Sequence, residues 1–273
     1  MGEALSISTK NCLIEQEGKT LIVTLNRPEA KNAFSPEMLL GMYRAWRLLD
    51  EDDGLMCAIL TANGDTFCAG MDLKAGADGA HKSTEAFLEV MAEVPNVHWQ
   101  ALLRDNRPNK PLILAVEGYA LAGGTEILAG TDLRVAAEDA TFGVTEVARG
   151  LYPQAGSSIR LPRQIPYCLA AEILLLGRHI TAQEALEWGL VNRLVAKGGA
   201  LAEAKRMAEQ LCQTGPLALQ AITRSLREIQ SDVAEPAAML QSDELANPVF
   251  ASADAREGMK AFKEKRAAVF TGK

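Results

Sequence analysis

Residues 111–137 read PLILAVEGYALAGGTEILAGTDLRVAA. Leu112 to Val116 form an unbroken apolar run, the signature of a strand covered on both faces. Leu133 to Ala136 predict a second such strand. The small residues between them leave room for one compact helix. A strand, a short helix and another buried strand within 27 residues point to an α/β fold.

The pattern continues on both sides. Upstream, Leu13–Gln16 and Thr20–Leu25 are strand-like runs joined through Glu17-Gly18-Lys19 as a hairpin. Ser35-Pro36-Glu37 starts a helix with Ser35 as N-cap. Leu39, Met42, Tyr43, Trp46 and Leu49 then form its inward stripe. Cys57 to Thr61 is a further buried strand, residues 75–83 a small polar loop, and Thr84 to Arg104 an irregular helix. Downstream of Pro153 the signal turns helical. Thr181-Ala-Gln-Glu184 is a capping box with Gly189 as its stop. Amphipathic helices follow near 200–213, 216–230, 236–246 and 252–267. The expected organisation is an α/β core over residues 1–200 and a helical segment over 201–273, with no linker between independent domains.

The chain has 28 Lys+Arg against 35 Asp+Glu, a net charge of −7, which argues against a nucleic-acid partner needing a basic footprint. Its five cysteines are an odd number without a CxxC pair, so neither a disulfide framework nor a zinc site is expected. No basic–apolar leader opens the sequence, and no run reaches the length of a membrane helix. The expectation is a soluble, cytoplasmic protein. P-loop, GxGxxG and GxSxG motifs are absent, and His81, His98 and His179 lack ligand spacing. No metal is expected.

Two glycine turns carry what chemistry is visible: Phe67-Cys-Ala-Gly-Met-Asp-Leu-Lys74 and Ala122-Gly-Gly-Thr-Glu126. Small residues let a ligand approach the backbone, and two amides facing one point make an oxyanion hole. Glu126 and Glu146 both sit among apolar neighbours, where a carboxyl is raised toward neutrality and suits acid/base work. Taken alone, the turns read more readily as ordinary tight turns, and the glutamates as readily as solvated helix-face residues.

At these residues the sequence resembles the crotonase, or enoyl-CoA hydratase/isomerase, superfamily. FCAGMDLK is similar to its first signature, AGGTEILAGTDLRVA to its second, and FGVTEVARGLYP followed by Gly156 to Leu161 to its third. Arg27 to Ala33 resembles the early CoA-contacting loop and Ala261 to Arg266 the C-terminal helix. The resemblance spans about residues 12–270.

It implies a spiral of repeated ββα units with a C-terminal helical trimerisation segment, assembled as a homotrimer or dimer of trimers. It further implies an oxyanion hole from the N–H groups of Met71 and Gly123. Glu126 would be the base polarising water and Glu146 the acid protonating Cα of a 2-enoyl-CoA in lipid β-oxidation. Lys31 and Lys74 are expected near the CoA phosphates, and Phe262 and Lys265 at the adenine end. Ala33, Ala69, Asp72, Leu73 and Gly124 would line the rest of the path. No cofactor is expected, because coenzyme A is part of the substrate.

Two departures bear on specificity. Ala155-Gly156-Ser157-Ser158 stands where the family carries a run of glycines, adding hydroxyls near the acyl end. The small residues of the 75–83 loop leave room for a bulky acyl group, branched or steroid-derived. The alternatives are an enoyl-CoA isomerase and, in another class, a non-catalytic CoA-ester or RNA-binding relative.

Overall fold

A computed structural model describes residues 3–72, 85–230 and 235–269 of the 273-residue chain. The expected 75–83 loop, with Leu73 and Lys74, lies outside the described residues.

Two sheets organise the molecule. The larger has seven strands in the order β1-β2-β3-β4-β6-β8-β11: β1 Glu3–Ala4, β2 Cys12–Glu17, β3 Thr20–Leu25, β4 Cys57–Ala62, β6 Leu112–Val116, β8 Leu133–Ala137 and β11 Arg193–Val195. Pairing is antiparallel from β1 to β3 and parallel from β3 to β11. The smaller sheet runs β10-β9-β7-β5, from β5 Thr66–Cys68, β7 Tyr119–Leu121, β9 Thr141–Gly143 and β10 Ile180–Thr181. Strands β5, β7 and β9 are mutually parallel.

The chain alternates between the sheets. β4 is followed by β5 and then by helices α2 Glu85–Glu93 and α3 Val97–Ala101. β6 is followed by β7 and α4 Gly123–Glu126, and β8 by β9, α5 Ser157–Gln164 and α6 Tyr167–Leu176. Each unit thus gives one strand to the large sheet, one to the small sheet, and a helix that leads to the next turn of the spiral. These are the repeated ββα units the resemblance implies.

The large sheet is buried on both faces, as the unbroken apolar runs require. Ala58, Leu60, Leu112, Leu114, Val116 and Ala136 point into the main core with Met38, Met42, Ala45, Trp46 and Leu49 of α1, Pro36–Glu51. The alternate residues Cys57, Ile59, Ile113, Ala115 and Val135 meet Ala200, Ala204, Met207 and Ala208 of α8, Ala200–Cys212. The strand period of two sorts neighbours onto opposite faces. The first helix of the C-terminal segment is therefore part of the sheet's covering layer.

Local signals act where expected. Ser35 Oγ accepts from Met38 N–H at the start of α1, and Thr181 and Glu184 close a reciprocal capping box on α7, Ala182–Glu187. The single helix expected over 84–104 is two, α2 and α3, because Pro95 cannot continue α2 and Asn96 turns left-handed at φ 62°. Three further helices, α9 Pro216–Gln230, α10 Glu235–Ala251 and α11 Ala253–Glu264, complete the chain. Among the described residues no helix is long and apolar enough to cross a membrane.

Candidate active site

The small sheet positions the site. Its parallel strands β5, β7 and β9 all end on the same edge, and each releases one loop there: residues 69–72, 122–126 and 144–146. Carboxyl ends of neighbouring parallel strands form a natural crevice. Thr125 locks two of these loops together, its Oγ1 donating to Ala120 O and accepting Gly143 N–H at 2.9 Å. Ala122 N–H reaches Gly143 O at 2.7 Å.

The turns that carry Met71 and Gly123 pack closely through their backbones. A Cβ on Gly124 would lie 2.5 Å from Cys68 O, and one on Gly70, at φ 89°, would lie 3.1 Å from Gly123 N and 2.7 Å from Ala122 Cβ. Only glycine permits these two turns to touch. Phe34 N–H pairs with Gly70 O at 2.8 Å, which fixes the first turn without using Met71 N–H. Gly123 is the first residue of α4, so its N–H has no intrahelical acceptor. Among the described residues neither amide donates to the backbone. Ala122 holds φ 52°, ψ −125°, a left-handed-side conformation costly for a residue with a Cβ and of the kind concentrated at functional sites.

The two glutamates arrive from adjacent strands. Glu126 ends α4 and is 4% exposed. Its Oε1 accepts from Ser157 Oγ at 2.8 Å and from Ser157 N–H at 3.3 Å. Glu146 opens the 3-10 turn Glu146–Arg149, and its carboxyl lies within hydrogen-bond reach of Glu126. The residue is half-buried, yet its Oε2 is fully covered and has no hydrogen-bond partner among the described residues. Burial raises both carboxyls. For Glu126 the Ser157 hydroxyl and the Ser157 and Ala155 amides pull the other way. For Glu146 burial is reinforced by the Glu126 charge, which holds it well above the ordinary carboxylate range. The pair is thus asymmetric, with the proton favoured on Glu146 and the charge on Glu126.

The remaining expected residues divide into two groups. Lys31, Ala33, Ala69 and Asp72 come together beside the first turn. Ala69 N–H donates to Lys31 O at 3.0 Å, and Arg27 Nη1 bridges Asp72 Oδ2 at 2.8 Å and Ala33 O at 3.3 Å. Lys31 Nζ reaches Asp65 at 3.1 Å on the open surface. Phe262 and Lys265 lie on another wall, where α11 packs on the Glu146–Arg149 turn. The Arg149 guanidinium sits 5.0 Å from the Phe262 ring centroid, and Lys265 is an exposed left-handed cap.

Three residues whose contacts hold this region together are not given those contacts by a reading of the sequence. Fully buried Asn32 donates to Asn63 O at 2.8 Å and Thr66 O at 2.7 Å, and accepts Arg27 N–H at 2.7 Å. It thereby ties the Arg27–Ala33 loop to β5. Ser157 meets Glu126 only because α5 folds back across 31 positions. Arg149 receives α11. Nothing in the local pattern marks them: Asn32 follows Lys31, and Ser157 lies between Gly156 and Ser158.

The enoyl-CoA hydratase/isomerase family model matches residues 15–273. Enoyl-CoA hydratase EchA19 of Mycobacterium tuberculosis is 49% identical over 263 residues, covering 96% of this chain and 97% of that protein. Carnitinyl-CoA dehydratase of Salmonella typhi is 35% identical, with 95% and 98% covered. The crystal structure of carnitinyl-CoA hydratase from Mycobacterium avium superimposes with a TM-score of 0.88 at 32% identity, covering 97% of this chain and all of that one.

Proposed function

The chain belongs to the enoyl-CoA hydratase/isomerase family, and from that premise we propose that it hydrates a 2-enoyl-CoA thioester. The observation that carries this reading is the pair of buried carboxyls on adjacent strand ends. One is fixed by two donors and the other has a covered oxygen without a partner among the described residues. The neighbouring strand ends carry Met71 and Gly123, whose N–H groups donate to no backbone acceptor among the described residues.

In this mechanism Met71 N–H and Gly123 N–H receive the thioester oxygen. The negative charge that develops there when oxygen adds at Cβ is stabilised without reorganisation, each such donor contributing about 3–4 kcal/mol. Ionised Glu126 draws a proton from the water held between the carboxyls. Protonated Glu146 delivers its proton to Cα as the enolate collapses. The two glutamates therefore add H and OH from one side of the double bond, and the pair returns to its starting charge. Lys31 and Lys74 would take CoA phosphates, with Ala33, Ala69, Asp72, Leu73 and Gly124 along the thioester arm and Phe262 and Lys265 toward the adenine. Coenzyme A enters as part of the substrate, so this reading calls for no separate cofactor.

The test is loss of the enoyl-thioester absorbance with crotonyl-CoA and with one bulky branched enoyl-CoA, in water enriched in heavy oxygen. The expected result is label at Cβ and a bell-shaped pH profile. Its acidic limb marks protonation of Glu126, and its alkaline limb marks ionisation of Glu146 beyond the ordinary carboxylate range. Double-bond migration without label would assign an isomerase, which needs only one carboxyl. Turnover confined to short straight chains would remove the bulky-acyl reading. Salt-sensitive RNA binding without turnover would assign the non-catalytic alternative.

Assembly into trimers is part of the same proposal. Leu217, Ile222 and Leu226 of α9 are 82%, 58% and 60% exposed, an apolar surface a lone chain leaves in water. Light scattering should give the mass of three or six chains, and a single-chain mass would exclude the assembly.

A further inference from the structure

Glu126 and Glu146 are chemically identical carboxyls a hydrogen bond apart, so something must decide which one is charged before substrate arrives. Ser157 is the first residue of α5 and fully buried. It presents two donors to the same oxygen, with Oγ at 2.8 Å and N–H at 3.3 Å from Glu126 Oε1. No comparable donor reaches Glu146 Oε2 among the described residues.

We propose that Ser157 is a positioning residue, its hydroxyl holding Glu126 as the ionised member of the pair and so fixing which carboxyl takes the proton from water. A donor aimed at a carboxylate stabilises the charged form and cannot serve the protonated one equally. The N–H would be supplied by any residue at this position. The hydroxyl is the particular contribution of serine.

The groups surrounding Glu126 leave this role to Ser157. From the Glu146–Arg149 turn come Glu146, whose carboxyl hydrogen-bonds Glu126 and favours its charge less than Ser157 does, and Arg149, which acts on Glu146. From α5, the Arg160 guanidinium donates to Leu103 O and Arg104 O at 2.7 and 2.9 Å, and Arg163 is exposed. From β5, burial pushes the Cys68 thiol up to about 12, so it stays neutral. From β7, Tyr119 is half-exposed. Hence the cations of the packed elements are engaged elsewhere or at the surface, and the hydroxyl is the strongest influence opposing burial.

This inference rests on the hydratase reading, and the experiment separates the two. Ser157→Ala and Ser157→Gly both keep the N–H and lose the hydroxyl. In both, the acidic limb of kcat should move to higher pH and kcat on that limb should fall about tenfold, the size of one charge-assisted hydrogen bond. KM should stay within about twofold. A role in packing alone would instead make glycine worse than alanine and leave the limb in place, which would overturn the proposal. A readout independent of turnover is the carboxyl resonance of Glu126 in protein carrying labelled glutamate, identified by its loss in Glu126→Gln. It should titrate at higher pH in Ser157→Ala, and an unchanged titration overturns the proposal. If the native protein hydrates nothing, the functional reading fails while this titration still decides the role of Ser157.

Discussion

Replacing Glu146 by glutamine should lower kcat about a thousandfold, in the range of a lost general acid, while raising the melting temperature at neutral pH. The two effects share one cause. Burial first, and the neighbouring Glu126 charge second, hold the Glu146 carboxyl well above the ordinary carboxylate range. The folded chain therefore binds this proton more tightly than the unfolded chain does. That contribution to stability is fully present below the unfolded value, about 4.3, and is lost as pH rises through the raised folded value. Glutamine has the same shape without a proton to lose, so the variant escapes this decline. Melting curves across pH should be flatter for Glu146→Gln than for the native protein, with the gap widening toward alkaline pH. Glu126→Gln should also abolish turnover. Full hydratase activity in both variants would end the acid/base assignment, and an unchanged melting profile would show that Glu146 titrates as an ordinary surface carboxyl.

What the sequence reveals and what it hides follow from the range of the interactions. Leu112–Val116 is legible because a strand buried on both faces is apolar along its length. Leu133–Ala137 keeps that pattern except at Arg134, whose guanidinium is satisfied by Thr131 O, Leu190 O and Gln164 Oε1. The Ser35 and Thr181 caps are legible because donor and acceptor lie within one helical turn. The small sheet is not. Its strands are two or three residues long, too short to show a period, and parallel partners such as Thr66 and Tyr119 are far apart in the chain. Yet this sheet brings Met71, Gly123, Glu126 and Glu146 to one edge. From local spacing alone, the glycine turns and glutamates remain separate features. Resemblance across the three signatures joins them, and the parallel register of β5, β7 and β9 supplies the physical reason. Ser157 appears in the sequence only as a departure from a glycine run, and its contact with Glu126 depends on a return of the chain that no local pattern encodes.

Gly258→Ala should cost about a hundredfold in kcat with little change in the melting of the sheet core. Within Ala253–Glu264 a glycine looks like a mere weakness, since it disfavours helix by about 1 kcal/mol relative to alanine. Its reason is contact. A Cβ at Gly258 would lie 1.8 Å from Arg149 O and 2.5 Å from Arg149 C, far inside the ordinary separation of about 3.5 Å. Both obstacles are backbone, so no rotamer relieves them. Ala255, Gly258 and Ala261 form the buried face of α11, which seats directly on the turn that begins with Glu146. The helix is well secured in itself, with Ser252 capping its start and Arg266 paired to Glu257 after its end. The clash must therefore displace either the whole helix or the turn. Either movement shifts Glu146 relative to the oxyanion amides, and a misplacement of about 1 Å is enough for a hundredfold loss. Limited proteolysis distinguishes the routes: faster cleavage near residues 252–266 means the helix has lifted, and native resistance with low kcat means the turn has moved. Native kcat in Gly258→Ala would show that α11 does not hold Glu146 in place.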